Sequence, residues 1–204
     1  MDFELTQDQQ IFYDSVKRFA VNELADGAVD RANSDGYLWD IAARFAEMGL
    51  LGITISESKG GIGGSLTDAV LAIQAIAEVC PRSADVVQAG NFGAIRTFAE
   101  YANADQLARI LPDLLAGKGV MSVGMSEPDA GSSVTELKTS ATPDGDDFLV
   151  NGSKVFGTNS GDAEVFLIYL RFGPGTEGIG SALIEKGTAG FEIGPGYRYM
   201  NGES

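Results

Sequence analysis

Histidine is missing from this sequence altogether, and cysteine occurs once, at Cys80. Without histidine, no Ser-His-Asp or Cys-His relay and no His-ligated metal site can be built from the chain, so no metal site is expected. A single cysteine permits no internal disulfide, and no CxxC redox or zinc pattern exists. Basic residues are scarce as well. Fourteen Lys and Arg stand against 29 Asp and Glu, a formal net charge of -15, which repels nucleic acid and anionic membrane surfaces alike. No apolar run reaches the ~20 residues needed to span a bilayer. The opening MDFELTQDQQ lacks the basic-then-apolar order of a signal peptide. The expectation is a cytoplasmic protein with no membrane span and no nucleic-acid partner.

What is present is apolar material: 44% of 204 residues are hydrophobic, enough for a core in one large or two small domains. The first half is patterned for helices. Thr6 and Gln9 have capping-box spacing ahead of Phe12, Val16, Phe19 and Ala20, which recur at helical period. A second helix is predicted over Tyr37 to Met48, with Leu38, Ile41, Ala42, Phe45 and Met48 on one face and Trp39 read as core. Gly49 and Gly52 close it. Gly60, Gly61, Gly63 and Gly64 form a flexible loop near a ligand mouth, and with no βαβ unit and no GK[ST] the P-loop and Rossmann readings fail. Ser65 with Asp68 caps a strongly apolar helix over Leu66 to Val79, expected at the centre of the bundle. Pro81 breaks it. One further apolar segment runs from Ser83 to Tyr101, then Asn103 and Gln106 cap another helix in which Pro112 tightens a turn. Residues 1–119 therefore read as an all-helical domain.

From Val120 the period changes to two. Strands are predicted at Val120 to Met125, Leu137 to Ala141, Asp147 to Val150, Ser153 to Phe156, Val165 to Phe172, Ser181 to Glu185 and Phe191 to Gly194. Pro143-Asp144-Gly145 marks one turn, and Asn151-Gly152 signals a tight hairpin. Many short strands on turns predict a small antiparallel β-barrel or sandwich over residues 120–204. The fold class is thus α+β, a helical domain leading into a β domain.

Two stretches of the β half carry chemistry. In SEPDAGSS, Ser126 to Ser133, small residues from Ala130 onward let main-chain N–H groups point into a concavity suited to an anionic or carbonyl-rich ligand. Taken alone, such a stretch is also an ordinary turn. The second is NGSKVFGTN, Asn151 to Asn159. Together they resemble the TEPxAGSD and NGxKxWITN segments of the acyl-CoA dehydrogenase family. Upstream, MGLLGITISESKGGIGGS, Met48 to Ser65, is similar to the family's GLLGLxxPExxGGxG signature. QLARILPDLLAGKGV, Gln106 to Val120, is similar to its QKxxxLPxLxxGE stretch. The four matches are collinear and cover nearly the whole chain.

The resemblance implies FAD as cofactor and α,β-dehydrogenation of an acyl-CoA thioester as the reaction. Matched position by position, Val123, Met125, Ser126, Gly131, Ser132, Phe156, Gly157 and Thr158 are the implied cofactor contacts. Met125 and Ser126 would lie along the flavin's pyrimidine side. Phe156 stands where the family usually has a tryptophan, Thr158 where a threonine hydroxyl reaches toward flavin N5, and Ser132 where the pantetheine arm of the substrate is met. There are departures: Phe156 lacks an indole N–H, Gly157 replaces a branched residue, Ser133 stands in place of an aspartate, and Gly161 to Arg171 has no tryptophan.

Family chains continue past a GxR segment, similar here to GYRYMNGES, Gly196 to Ser204, into more strands and a helical bundle that carries the glutamate base. No catalytic residue is therefore assigned within this chain. Glu127 and Glu136 are the local carboxylates, and the motif gives Glu127 a turn role instead. The implied partners are an acyl-CoA substrate, a complementary C-terminal helical chain or segment, further subunits in a homo- or hetero-oligomer (dimer or tetramer), and an electron-transfer acceptor. The alternatives are a non-catalytic acyl-CoA- or flavin-binding subunit or scaffold, and a related flavin-dependent enoyl-CoA reductase or eliminase.

Overall fold

Three capping boxes set where helices begin. The computed structural model, which describes residues 4–199 and 202–203, places Thr6, Ser65 and Asn103 as N-caps. Their side chains accept from the main-chain N–H of Gln9, Asp68 and Gln106 at 3.2, 3.2 and 2.9 Å, and each of those side chains bonds back. They open α1 (Gln7–Glu23), α4 (Leu66–Ala77) and α7 (Ala104–Leu115). The other helices are α2 (Ala28–Ala32), α3 (Trp39–Glu47), α5 (Pro81–Ala89) and α6 (Ala94–Tyr101). Met1 to Phe3, Met200, Asn201 and Ser204 lie outside the described residues, so the GYRYMNGES segment is described only in part.

The chain divides into two units. One runs to Val120 and takes in the short pair β6 (Arg198–Tyr199) and β7 (Gly202–Glu203); the other is Met121–Tyr197. In the helical unit α4 packs on both α1 and α5, and the core is built from Val16, Ala20, Leu24, Ile41, Phe45, Leu50, Ala72, Ile76 and Val87. α4 is not apolar-covered all round, since Leu66 and Val70 are exposed. Trp39 is partly exposed too and meets Tyr37 edge-on at 4.8 Å rather than filling the core. Cys80 is free and buried at the N-cap of α5, its sulfur accepting from the Ser83 hydroxyl at 3.1 Å.

Three helical expectations are corrected. α7 continues through Pro112 to Leu115. A proline in the last turn forfeits one main-chain bond, while Ile110, Leu111 and Leu114 keep that face buried. The apolar segment after Pro81 is two helices, because Asn91 turns inward between them: its side-chain amide donates to the carbonyls of Leu50 and Val87, both at 2.8 Å. The Gly60–Gly64 loop is closed by its own main-chain bonds. The N–H groups of Gly61, Ile62, Gly63 and Gly64 donate to the carbonyls of Ser56, Gly52, Ile55 and Ile53, which leaves them none to offer a phosphate.

The sheet is open and mixed rather than a closed antiparallel barrel. Its strands are β1 (Met121–Gly124), β2 (Ser140–Asp144), β3 (Asp147–Asn151), β4 (Val165–Arg171) and β5 (Ile179–Glu185), in the order β1-β4-β2-β3, with β5 along the other side of β4. β4 is central and near-continuously apolar, burying Phe166, Leu167, Ile168 and Leu170. β1 pairs with it in parallel, Val123 opposite Leu167, because the chain makes the β2–β3 hairpin before returning in the same direction. That hairpin turns at Gly145-Asp146, with Asp144 opposite Asp147, not at Asn151-Gly152. Neither Ser153 to Phe156 nor Phe191 to Gly194 is a strand; Phe191 instead packs its ring 4.8 Å from that of Phe166.

Candidate functional site

β1 ends at Gly124 and delivers Met125 and Ser126 to a point where a second segment arrives from β3. Val155 donates its main-chain N–H to the Ser126 carbonyl at 2.9 Å. The Lys154 ammonium reaches the Met125 carbonyl at 3.0 Å. A side chain at residue 124 would obstruct this, since a Cβ there would stand 2.5 Å from Ile168 and 3.2 Å from the Lys154 stem. The two motif segments thus form one wall.

Phe156 comes next, in the left-handed region at φ 59°, unusual for a bulky residue. The residue is 62% exposed, and its ring lies 5.1 Å from that of Tyr197. Gly157 sits tightly beside two hydroxyls: a Cβ would fall 2.4 Å from Ser160 Oγ and 3.3 Å from Ser122 Oγ, so no branched residue fits. Ser160 Oγ donates to the Gly157 carbonyl at 2.5 Å and lies 3.0 Å from Ser122 Oγ. Thr158 is exposed, and Asn159, also at positive φ, turns the chain back by accepting from Ala163 at 2.9 Å. For the main-chain N–H and hydroxyl of Ser126 and the hydroxyl of Thr158, no hydrogen-bond partner exists among the described residues.

The remaining expected residues are placed differently. Val123 is held in the β1–β4 ladder. Gly131 and Ser132 lie exposed on a bend just after a turn closed by a reciprocal main-chain pair between Glu127 and Ala130, at 3.0 and 3.1 Å. Ala130 spends its N–H there, so the expected concavity of free N–H groups can begin no earlier than Gly131. No hydrogen bond among the described residues joins Gly131 or Ser132 to Phe156 or Thr158. A shallow depression of about 340 Å³ on α1, lined by Ser15, Arg18, Phe19, Asn22 and Glu23, contains none of the site residues. No cluster of metal-ligating side chains and no helix long and apolar enough to cross a membrane occurs among the described residues.

Residues 6–118 match the family described as acyl-CoA dehydrogenase, N-terminal domain, and residues 122–201 match acyl-CoA dehydrogenase, middle domain. The chain belongs to the acyl-CoA dehydrogenase family. Among acyl-CoA dehydrogenase relatives, it is 31% identical to the short-chain specific acyl-CoA dehydrogenase of Clostridium acetobutylicum, over 95% of this chain and 52% of that protein. It is also 31% identical to the acryloyl-CoA reductase (NADH) of Anaerotignum propionicum, over 95% and 50%. Among solved structures, the FAD complex of PigA superposes with a TM-score of 0.87 at 27% identity, covering 98% of this chain and 53% of that one. The chain spans about half the length of the relatives it matches.

Two residues of this chain escaped the sequence reading as partners. Glu127 and Lys154 form an ion pair at 2.7 Å, with side chains only 6% and 12% exposed. Glu127 Oε1 also accepts from the Thr139 N–H at 2.9 Å, and Oε2 from the Lys138 N–H at 2.6 Å. Burial works to raise the Glu127 pKa. The Lys154 ammonium and the Lys138 and Thr139 N–H groups outweigh it and hold the carboxyl at about 2. A carboxylate so bonded is a structural tie rather than a proton acceptor, while Glu136 stands exposed on the short turn Val134–Glu136. The signal was available: each motif contains a charge set among small and apolar residues, and opposite charges in such settings have to meet.

Proposed function

We propose that this chain provides the helical part and the flavin-contacting wall of an FAD-dependent acyl-CoA dehydrogenase, and that a complementary C-terminal helical segment or chain provides the glutamate base. The observation that carries this reading is the Val155 N–H to Ser126 carbonyl bond. It ties the segment that leads into Phe156 and Thr158 to the one that carries Met125 and Ser126, where donors without partners among the described residues accompany an exposed ring.

Flavin fits this chemistry. Its pyrimidine edge is rich in acceptors, and the Ser126 N–H and hydroxyl and the Thr158 hydroxyl are donors without partners among the described residues. Phe156 supplies an apolar plate. When bound, FAD supplies hydride acceptance from the acyl β-carbon as a base removes the α-proton. This chain's residues orient the ring, and their donors favour the negative charge that reduction leaves on it. Ser132, on its exposed bend, is the proposed contact for the pantetheine arm. An acyl-CoA substrate, an electron acceptor, assembly into dimers or tetramers and a cytoplasmic location complete the proposal.

Intact mass and a visible absorbance spectrum of purified native material test it. A flavin spectrum, a second polypeptide or a longer chain, and bleaching on anaerobic addition of acyl-CoA are expected. A single 21.4 kDa species that retains no flavin and does not respond to acyl-CoA overturns it, leaving a binding module. The reductase relative, equally similar at 31%, favours a second reading in which the same wall serves reduction of an enoyl-CoA. Reoxidation of the reduced flavin by enoyl-CoA, without bleaching by acyl-CoA, selects that reading.

A further inference from the structure

The peptide group joining Met125 to Ser126 is held in an unusual way. Its carbonyl end accepts from the Lys154 ammonium at 3.0 Å. A trans peptide points its N–H opposite to its C=O, and no cis bonds occur among the described residues. The Ser126 N–H is therefore directed away from Lys154. The next carbonyl, that of Ser126, is occupied by the Val155 N–H. Both carbonyls flanking this residue are engaged, while its own N–H has no partner among the described residues.

The ammonium is itself fixed. Glu127 Oε1 holds it at 2.7 Å, and the carboxylate is anchored by the Lys138 and Thr139 N–H groups just ahead of β2. Because Glu127 balances the charge of Lys154, the pair adds no net charge to the wall. Its influence on a neighbour is directional and runs through the one peptide it touches. A charge-assisted bond at the carbonyl draws electron density from the amide nitrogen, and linked hydrogen bonds reinforce one another.

We propose that Lys154, held by Glu127, is a positioning residue that polarises the Met125–Ser126 peptide and makes the Ser126 N–H a strengthened donor to an acceptor atom of the bound flavin. This rests on the flavin reading, but the polarisation itself is a property of the chain alone. In the scheme Lys154 touches neither flavin nor substrate. Ser126 delivers the effect.

The test compares ¹⁵N-labelled wild-type chain with Lys154→Met, Glu127→Gln and the double variant, which leaves no uncompensated buried charge if Lys154→Met fails to fold. The Ser126 amide proton is expected to move upfield in Lys154→Met and in the double variant, and to stay near its wild-type position in Glu127→Gln. The amides of Leu167 and Ile168, in the middle of the sheet, report that the fold persists. With FAD as the probe, loss of Lys154 is expected to weaken binding about tenfold and to make the bound flavin harder to reduce. Lys154→Arg is expected to restore part of both. A Ser126 amide unmoved in the double variant while Leu167 and Ile168 keep their positions overturns the proposal, as does a potential unchanged in Lys154→Met. Wild-type chain that shows the Ser126 response but binds no FAD even when joined to its complementary C-terminal segment overturns the flavin reading and the flavin acceptor with it, while the polarised peptide stands.

Discussion

The Phe156 ring lies 5.1 Å from the Tyr197 ring at an interplanar angle of 41°, although Phe156 must adopt a left-handed backbone to put it there. For an L-residue that conformation costs about 1–2 kcal/mol, and the ring pair returns about 0.5–1.5 kcal/mol. Phe156→Ala keeps the strain and loses the pair. Phe156→Gly loses the pair and the strain together. Thermal melts are therefore expected to rank Phe156→Gly at or above Phe156→Ala, with the Gly variant within about 1 kcal/mol of wild type. Both should lose flavin absorbance if the ring is the plate on which the cofactor rests.

Two glycines in the β unit should respond very differently to the same methyl group. At Gly145, φ 64°, a Cβ meets open space, so Gly145→Ala is expected to cost only the left-handed penalty, about 1–2 kcal/mol. At Gly152 a Cβ would lie 2.3 Å from Thr139 Oγ1 and 2.6 Å from Thr139 Cα. The backbone atom cannot swing aside, so Gly152→Ala is expected to cost about 2–4 kcal/mol, and trimming Thr139 should not rescue it. Urea denaturation of the two variants checks the order.

Asn91 offers a comparable test in the helical unit. It is fully buried, and its removal orphans the Leu50 and Val87 carbonyls and the Thr54 N–H, which donates to Asn91 Oδ1 at 3.3 Å. Asn91→Ala is expected to destabilise by about 3 kcal/mol. Asn91→Asp should be no better, because a carboxylate would face two carbonyl oxygens. Chemical denaturation monitored by far-UV circular dichroism measures both.

Acid stability should have two components that salt separates. Glu127 and Glu78 are each lowered from 4.5 to about 2, Glu127 against the opposing pull of its burial. Glu78 is held by Lys17 at 2.7 Å, the Tyr13 hydroxyl at 2.6 Å and Gln74 at 3.2 Å. Since folding lowers both values, their contributions are complete above about pH 4.5 and are lost as the pH falls toward 2. Glu78 lies at the surface and its ion pair is screened by salt; Glu127 is enclosed and its pair is not. Acid titrations at low and high salt should differ for the helical unit and coincide for the β unit. Glu127→Ala, which strands Lys154, is expected to cost about 3–5 kcal/mol at neutral pH.

Range along the chain decides which of these features could be read from residues alone. Thr6 with Gln9, Ser65 with Asp68 and Asn103 with Gln106 are local, so three helix starts were legible. The split at Asn91 was not, because it depends on the Leu50 carbonyl, distant in the chain. Asn151-Gly152 carries the local signature of a hairpin, yet its glycine answers to the approach of Thr139 rather than to a turn. Strand existence was legible for β1, β3, β4 and β5, but not pairing: alternation says nothing of whether β1 meets β4 in parallel. In the candidate site, both segments were visible through their motifs. The Lys154 to Glu127 tie was not, since each half sits in a different motif and only folding brings them together.

The parallel pairing of β1 with β4 bears on the order in which the β unit assembles. β2–β3 and β4–β5 close over short loops, whereas β1 must wait for a partner on the far side of the first hairpin. Loop-closure entropy makes such a contact late. The strand that leads into Met125 and Ser126 is thus expected to dock after the others, and in pulsed hydrogen exchange the amides that β1 donates to β4 should gain protection after those bonded between β4 and β5. The wall of Met125 and Ser126 would then be completed only once the rest of the sheet has vouched for its own register.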